Sequence, residues 1–146
     1  YNQLCEILAD LGKKNNWVVF QEPLIRDQNN ELFKPDLVFV KNAQAVVVDV
    51  TVRYESKPSS LADAAEEKVK KYQHLTTQVQ DLTNATEVKF VGFPLGACGK
   101  WFSDNFKLLT ELGLTKSCQQ RTAIRMSYWA LFSSVDIIHM FAGKSR

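Results

Sequence analysis

The sequence predicts an α/β domain, a mixed central sheet flanked by helices, on three observations. Apolar residues recur at helical spacing at both ends of the chain. Three β-branched and aromatic stretches follow one another between residues 17 and 53. A helical stretch then separates the third of these from a fourth at residues 87–93. The resulting order α, β, β, β, α, β, α, α makes the helix before the last strand a crossover, which would set that strand parallel to the third.

Each element has a local reason. Leu4, Ile7, Leu8 and Leu11 fall on one helical stripe, and the run Gly12-Lys13-Lys14-Asn15-Asn16 stops the first helix. Residues 17–21 (WVVFQ) read as a strand closed by Pro23, and Asp27-Gln28-Asn29-Asn30 as a turn. Pro35 precedes a short strand over residues 36–40; residues 41–44 turn the chain into a third strand over 45–53. Residues 61–79 are helical in pattern, with Ser59 or Ser60 available as N-cap after Pro58. Residues 87–93 (EVKFVGF) return to strand, and 94–100 read as a Gly-rich loop. Ser103 then caps a short helix ending at Gly113. A last helix over residues 117–141 carries the stripe Ile124, Tyr128, Leu131, Val135 and Ile138, expected to face the core.

Composition narrows the class. With 146 residues, 45% apolar and 23% charged, the chain suits one domain over residues 1–146 and excludes a second full domain or a disordered segment. A chain this long buries roughly 68% of its unfolded surface, so disulfides and structural metals are not needed. No apolar run approaches the length of a membrane span. The formal charge of +2 is too small to argue a nucleic-acid partner by itself. Cys5, Cys98 and Cys118 are odd in number and far apart, which reads as reduced thiols in an intracellular protein. A chain opening at Tyr1 with no signal-peptide pattern is expected to be a module of a longer polypeptide.

The chemistry lies in the third strand. Val46, Val48, Val50 and Val52 share one face, and Val47, Asp49, Thr51 and Arg53 the other. A carboxylate in mid-strand is costly unless it is paired or binds a cation. Asp36 stands thirteen residues earlier, and a tight hairpin about Asn42 would bring it beside Asp49. Two close carboxylates repel each other, and a divalent ion with oxygen ligands relieves the repulsion. On the following helix Leu61, Ala65, Lys68, Tyr72, Leu75 and Val79 form one stripe, so Lys68 faces inward, Lys71 sits at the border and Lys70 faces solvent. Two acids and an inward lysine are the parts of metal-assisted phosphodiester hydrolysis.

These residues also resemble a known family. Lys34-Pro35-Asp36-Leu37-Val38, then Val47-Val48-Asp49-Val50-Thr51-Val52, then KVKKY at residues 68–72, are similar to the restriction-like endonuclease domain of site-specific non-LTR retrotransposons. That domain belongs to the PD-(D/E)XK superfamily and resembles archaeal Holliday-junction resolvases. Gly96-Ala97-Cys98-Gly99-Lys100-Trp101, with Asn105, Leu108, Leu109 and Leu112-Gly113-Leu114, resembles the segment after the catalytic core, so the likeness covers residues 17–115. It implies a restriction-endonuclease-like core over about residues 1–93 and a C-terminal helical extension over 94–146. Asp36 and Asp49 would bind Mg²⁺, replaceable by Mn²⁺, with the backbone carbonyl of Val50 as a further ligand. The superfamily's usual lysine position is Thr51 here, and in the retrotransposon branch Lys68 or Lys71 on the helix takes that role. Glu22 is carried over as an additional early acid, and Glu6, opposite the apolar stripe, is left out. The implied partners are double-stranded DNA and the reverse-transcriptase and DNA-binding domains of a parent polyprotein in the nucleus, where a nick leaving a 3′-hydroxyl would prime reverse transcription. Oligomeric state is not set by the sequence.

Plainer readings stand beside these. Asp36 also suits a turn after Pro, Asp49 a buried acid satisfied by Arg53, Lys68 a snorkelling side chain, Lys71 a solvated charge and Glu22 strand-end polarity. Trp101 and Trp129 read as core. Arg121 and Arg125 read as a solvated face or as phosphate contacts with Lys100, Lys107 and Lys116, and His74 and His139 carry no role. The alternative functions are a junction resolvase or repair nuclease of the same fold, or an inactive nuclease-like DNA-binding module.

Overall fold

Helix α1 (Asn2–Lys14) buries Leu4, Ile7 and Leu8 along the stripe that the sequence marks. The chain continues through strand β1 (Val18–Gln21), the short strands β2 (Ile25–Arg26) and β3 (Leu32–Phe33), and the hairpin of β4 (Leu37–Lys41) and β5 (Gln44–Arg53). Helix α2 (Ser60–Tyr72), a 3-10 turn (Gln73–Leu75) and α3 (Thr76–Thr83) lead to β6 (Glu87–Gly96), then α4 (Asn105–Leu112) and α5 (Lys116–Lys144). The structure, a computed structural model, describes residues 2–144, with side chains described through Ser134.

One mixed sheet runs in the order β1-β4-β5-β6, and β2 and β3 pair separately. β1, β4 and β5 are antiparallel neighbours, whereas β6 lies parallel to β5, as a helical crossover requires. The β4–β5 turn is two residues, Asn42 and Ala43, both left-handed at φ 51° and 63°, which suits the twist of a tight hairpin. It fixes the register Leu37↔Val48 and so places Asp36 level with the Asp49–Val50 peptide. Alternation in β5 divides the core: Val46, Val48 and Val50 pack with α1, α4 and α5, while Ala45 and Val47 pack with Tyr72, Leu75 and Val79.

Four expectations are corrected. The helix over residues 61–79 is broken by the 3-10 turn, where His74 meets the β2–β3 hairpin: its ring stands 4.8 Å from that of Phe33 and its Nε2 3.4 Å from Asp27 Oδ2. Residues 94–100 are not all loop, since β6 continues through Pro94 to Gly96. Pro94 is tolerated because its missing amide lies on the outer edge, where its carbonyl accepts Asn105 Nδ2 at 2.8 Å and Gly96 donates to the Lys100 carbonyl at 2.9 Å. Ser103 does not cap α4, which begins at Asn105 with Asp104 at the cap position. At α2, Ser59 holds the cap position without a side-chain bond to the backbone, its hydroxyl donating to Asp63 instead.

The fourth concerns α5. Its inward face is Gln119, Thr122, Ala123, Met126, Ala130 and Ser134, and the predicted core stripe points outward, with Ile124 72%, Tyr128 64% and Leu131 42% exposed. Small residues bring the helix close, and the polar ones are satisfied locally: Gln119 Nε2 donates to the Leu114 carbonyl and Thr110 Oγ1, and Ser134 Oγ to the Ala130 carbonyl. Val135, Ile138 and His139 have side chains outside the described residues.

Asn105 closes the β6 edge from a buried position. Asn105→Ala leaves the Pro94 carbonyl buried without this donor and is expected to lower unfolding free energy by about 1–3 kcal/mol in chemical denaturation.

Candidate functional site

Beyond Leu37, strand β4 ends its backbone pairing with β5, and two carboxylates continue the ladder. Val50 donates its amide to Asp36 Oδ2 at 2.7 Å, and Asp36 donates its own amide to Asp49 Oδ1 at 3.1 Å. Each acid is therefore held by a main-chain donor from the strand that carries, or adjoins, the other. Both are buried, Asp36 to 7% exposure and Asp49 to 5%. Since the N–H and C=O of one strand residue point to the same side, the Val50 carbonyl also faces the Asp36 side of β5.

Helix α2 supplies the cation. Lys68 Nζ lies 3.0 Å from Asp49 Oδ2 with most of its side chain buried. Tyr72, one turn on, donates its hydroxyl to Asp49; burial first, then the charges of Asp49 and Asp36, hold that phenol well above the usual tyrosine range. Arg53, the alternative partner for Asp49, instead reaches Thr51 Oγ1 at 3.1 Å and forks onto Glu67. Lys71 is exposed, with Nζ 5.2 Å over the Tyr72 ring, and Lys70 pairs with Glu66 at the surface. The structure thus brings Asp36, Asp49, Val50 and Lys68 together and leaves Lys71 outside.

A glycine sets the depth of α2. Gly92 is the β6 residue in register with Asp49, and a Cβ built there would lie 2.7 Å from Ala65 Cα and closer still to the Ala65 carbonyl oxygen. The α2 backbone therefore lies directly on the sheet, and Lys68, three residues beyond Ala65, reaches across to the neighbouring strand.

Glu22 sits just past β1 in a left-handed conformation, φ 48°, with its amide donated to the Asp36 carbonyl at 2.9 Å. Its side chain lines a cavity of about 360 Å³ together with Asn2, Cys5, Glu6, Gln21 and Asp36. Glu6, set aside on the sequence, belongs to this cavity because the N-terminal half of α1 overhangs the acid pair. Cys5 lies there too, and burial, then the charges of Asp36 and Asp49, push its thiol up to about 12.

Among the described residues no group of three or more His, Cys, Asp and Glu forms a metal cage. The donors present are two buried carboxylates and a carbonyl, all hard oxygens. Such a set suits Mg²⁺, which binds through one or two carboxylates with water and phosphate oxygens completing its shell. Of the other residues singled out, Trp101 packs on Phe93 and Phe106, and Trp129 packs against the core. Lys100, Lys107, Lys116, Arg121 and Arg125 are exposed.

Fold and site together define an α/β domain organised around a buried acid pair and its lysine. No family model matches the chain. Over 112 residues it is 31% identical to the retrovirus-related Pol polyprotein from type-1 retrotransposable element R2 of Popillia japonica. The aligned stretch is 75% of this chain and 23% of that polyprotein, so the chain spans about a quarter of the curated relative it matches. The similarity supports a retrotransposon origin. Among the described residues no helix is long and apolar enough to cross a membrane.

Two outcomes follow. Gly92→Ala forces α2 off the sheet; a loss of about 1–3 kcal/mol is expected, with a crystal structure showing Lys68 Nζ withdrawn from Asp49. At about pH 8, Ellman's reagent should label exposed Cys98 first. Cys5 should react roughly 10³-fold more slowly than an ordinary thiol, its rate rising about tenfold per pH unit toward pH 12 as the thiolate forms.

Proposed function

We propose that this chain is the endonuclease module of a retrotransposon polyprotein, a divalent-metal-dependent hydrolase of the PD-(D/E)XK type that nicks double-stranded DNA. The observation that carries the reading is Lys68 Nζ 3.0 Å from Asp49, on an acid already tied to Asp36 through main-chain amides. Asp36, Asp49 and the Val50 carbonyl hold Mg²⁺, with Mn²⁺ as a substitute. When bound, that ion supplies positive charge to the attacked phosphate and a water of lowered pKa.

The chain's own groups do the rest. Main-chain amides fix both carboxylates, so the ligand geometry is set before DNA arrives. Lys68 presents its ammonium where charge develops on the phosphate, and Asp49 and the α2 backbone on Gly92 keep it there. Tyr72 holds Asp49 by its hydroxyl and stays protonated. Glu22, which lines the cavity beside Asp36 together with Glu6, orients the attacking water. Hydrolysis leaves a 5′-phosphate and a 3′-hydroxyl; the latter primes reverse transcription by the reverse-transcriptase domain of the parent polyprotein, whose DNA-binding domains choose the target, in the nucleus. The likeness to an R2 Pol polyprotein supports this setting.

The test is relaxation of supercoiled plasmid in Mg²⁺ or Mn²⁺, with an EDTA control. Asp36→Asn and Asp49→Asn, near-isosteric at the acid pair, are expected to abolish nicking. Lys68→Ala is expected to slow it by about 10²–10³-fold and Lys71→Ala by no more than a few-fold. Nicking that survives Asp49→Asn, or a larger loss from Lys71→Ala than from Lys68→Ala, would contradict the assignment.

A further inference from the structure

We infer that the outward face of α5 is a docking surface for a partner helix that is apolar at heptad spacing and acidic along its flanks. Ile124, Tyr128 and Leu131 follow one another at intervals of four and three, the seam of a coiled coil, and the sequence continues that spacing at Val135 and Ile138. The three described positions are exposed, and Phe132 beside them is 47% exposed and stacked on Tyr128. Next to this ridge runs a groove of about 580 Å³ between α5 and the segment joining β6 to α4 with the first turn of α4, walled by Cys98, Trp101 and Phe106 opposite Ala123, Ile124 and Leu131. A contiguous apolar ridge and groove on a 29-residue helix is surface of the kind that proteins cover with one another.

Charge selects the occupant. Over residues 116–138 the sequence of α5 carries Lys116, Arg121 and Arg125 against one acid, Asp136, and Lys100 is exposed in the segment across the groove. A second copy of α5 would bring like charges together, whereas Glu or Asp beside a partner's apolar stripe would pair with Arg125 on the flank of the seam and reach Arg121, which ends the seam at the seam position before Ile124. Nucleic acid would meet the arginines but would leave Ile124, Leu131 and the groove uncovered. The inference is independent of the proposed hydrolysis, because α5 contributes no residue to the acid-pair site.

The probe is a synthetic four-heptad peptide with Leu at the a and d positions and Glu at e and g, whose like charges discourage self-pairing. The control replaces those Glu by Lys. By fluorescence anisotropy the intact protein is expected to bind the acidic peptide saturably and at least tenfold more tightly than the basic one. The double variant Ile124→Ser, Leu131→Ser should weaken binding tenfold or more, with circular dichroism and thermal unfolding unchanged because both side chains are exposed. Arg121→Glu with Arg125→Glu should reverse the preference to the Lys peptide. Equal binding of the two peptides, no binding, or binding insensitive to the Ser variant would overturn the proposal. So would displacement of the peptide by duplex DNA, which would assign the face to nucleic acid. Concentration-dependent dimerisation in sedimentation velocity that the Ser variant abolishes would overturn it in favour of a second copy.

Discussion

The reciprocal tie between Asp36 and Asp49 is the constraint on which the rest of the site depends. An ionised carboxylate in a sheet interior is strongly disfavoured unless donors surround it. Here the donors are main-chain amides that become available only because β4 stops pairing at Leu37 while β5 runs on. The carboxylates stand in for the missing backbone partners, so the same contacts that satisfy the acids also finish the ladder. Moving β5 by one residue would turn Asp49 to the face packed by α1, α4 and α5, and moving β4 by one would do the same to Asp36; either slip takes the Asp36 carboxylate off the Val50 amide.

The lysine depends on a second close approach. A helix packs on a sheet at a distance set by the side chains between them, and Gly92 removes one at the crossing point. The α2 backbone at Ala65 fills that space. Lys68 can then reach Asp49 with its stem against the sheet, and Tyr72 arrives at the same acid one turn later. The far end of this helical segment is pinned where His74 meets Asp27 and Phe33 of the small hairpin. That contact coincides with the 3-10 turn and with the end of α2, so the hairpin braces the helix that carries the lysine.

What the sequence made legible was local. Alternation in residues 45–53 gave the two faces of β5, the Lys41–Gln44 turn gave the hairpin, and helical spacing placed Lys68 inward. The features that escaped are tertiary or defy hydrophobic pattern. Gly92 reads as an ordinary strand glycine until the helix lies on it. Tyr72 reads as one more member of an apolar stripe, because nothing local shows that its hydroxyl meets Asp49. Glu6 reads as a solvent-side residue of α1, and nothing local shows that this side of the helix borders a cavity shared with Asp36. In α5 the large apolar residues marked the wrong side: small residues permit a closer approach than large ones, and Gln119 and Ser134 find their partners within a few residues of chain. The β2–β3 hairpin was seen only as its turn, since strands of two residues leave no periodicity to read.

Cohesion and chemistry are therefore divided between the faces of one strand. Val46, Val48 and Val50 close the larger apolar cluster, and Asp49 works from the opposite face among the groups of α2. A buried ion pair adds little to stability, and well-packed apolar side chains of similar volume commonly do as well or better. The Asp49–Lys68 pair is thus poorly explained as a device for holding the sheet, which the valines already do. Its position is better explained by what it sets side by side: two acids held by main-chain amides and one ammonium against them, at the edge where β4 stops pairing and β5 runs on.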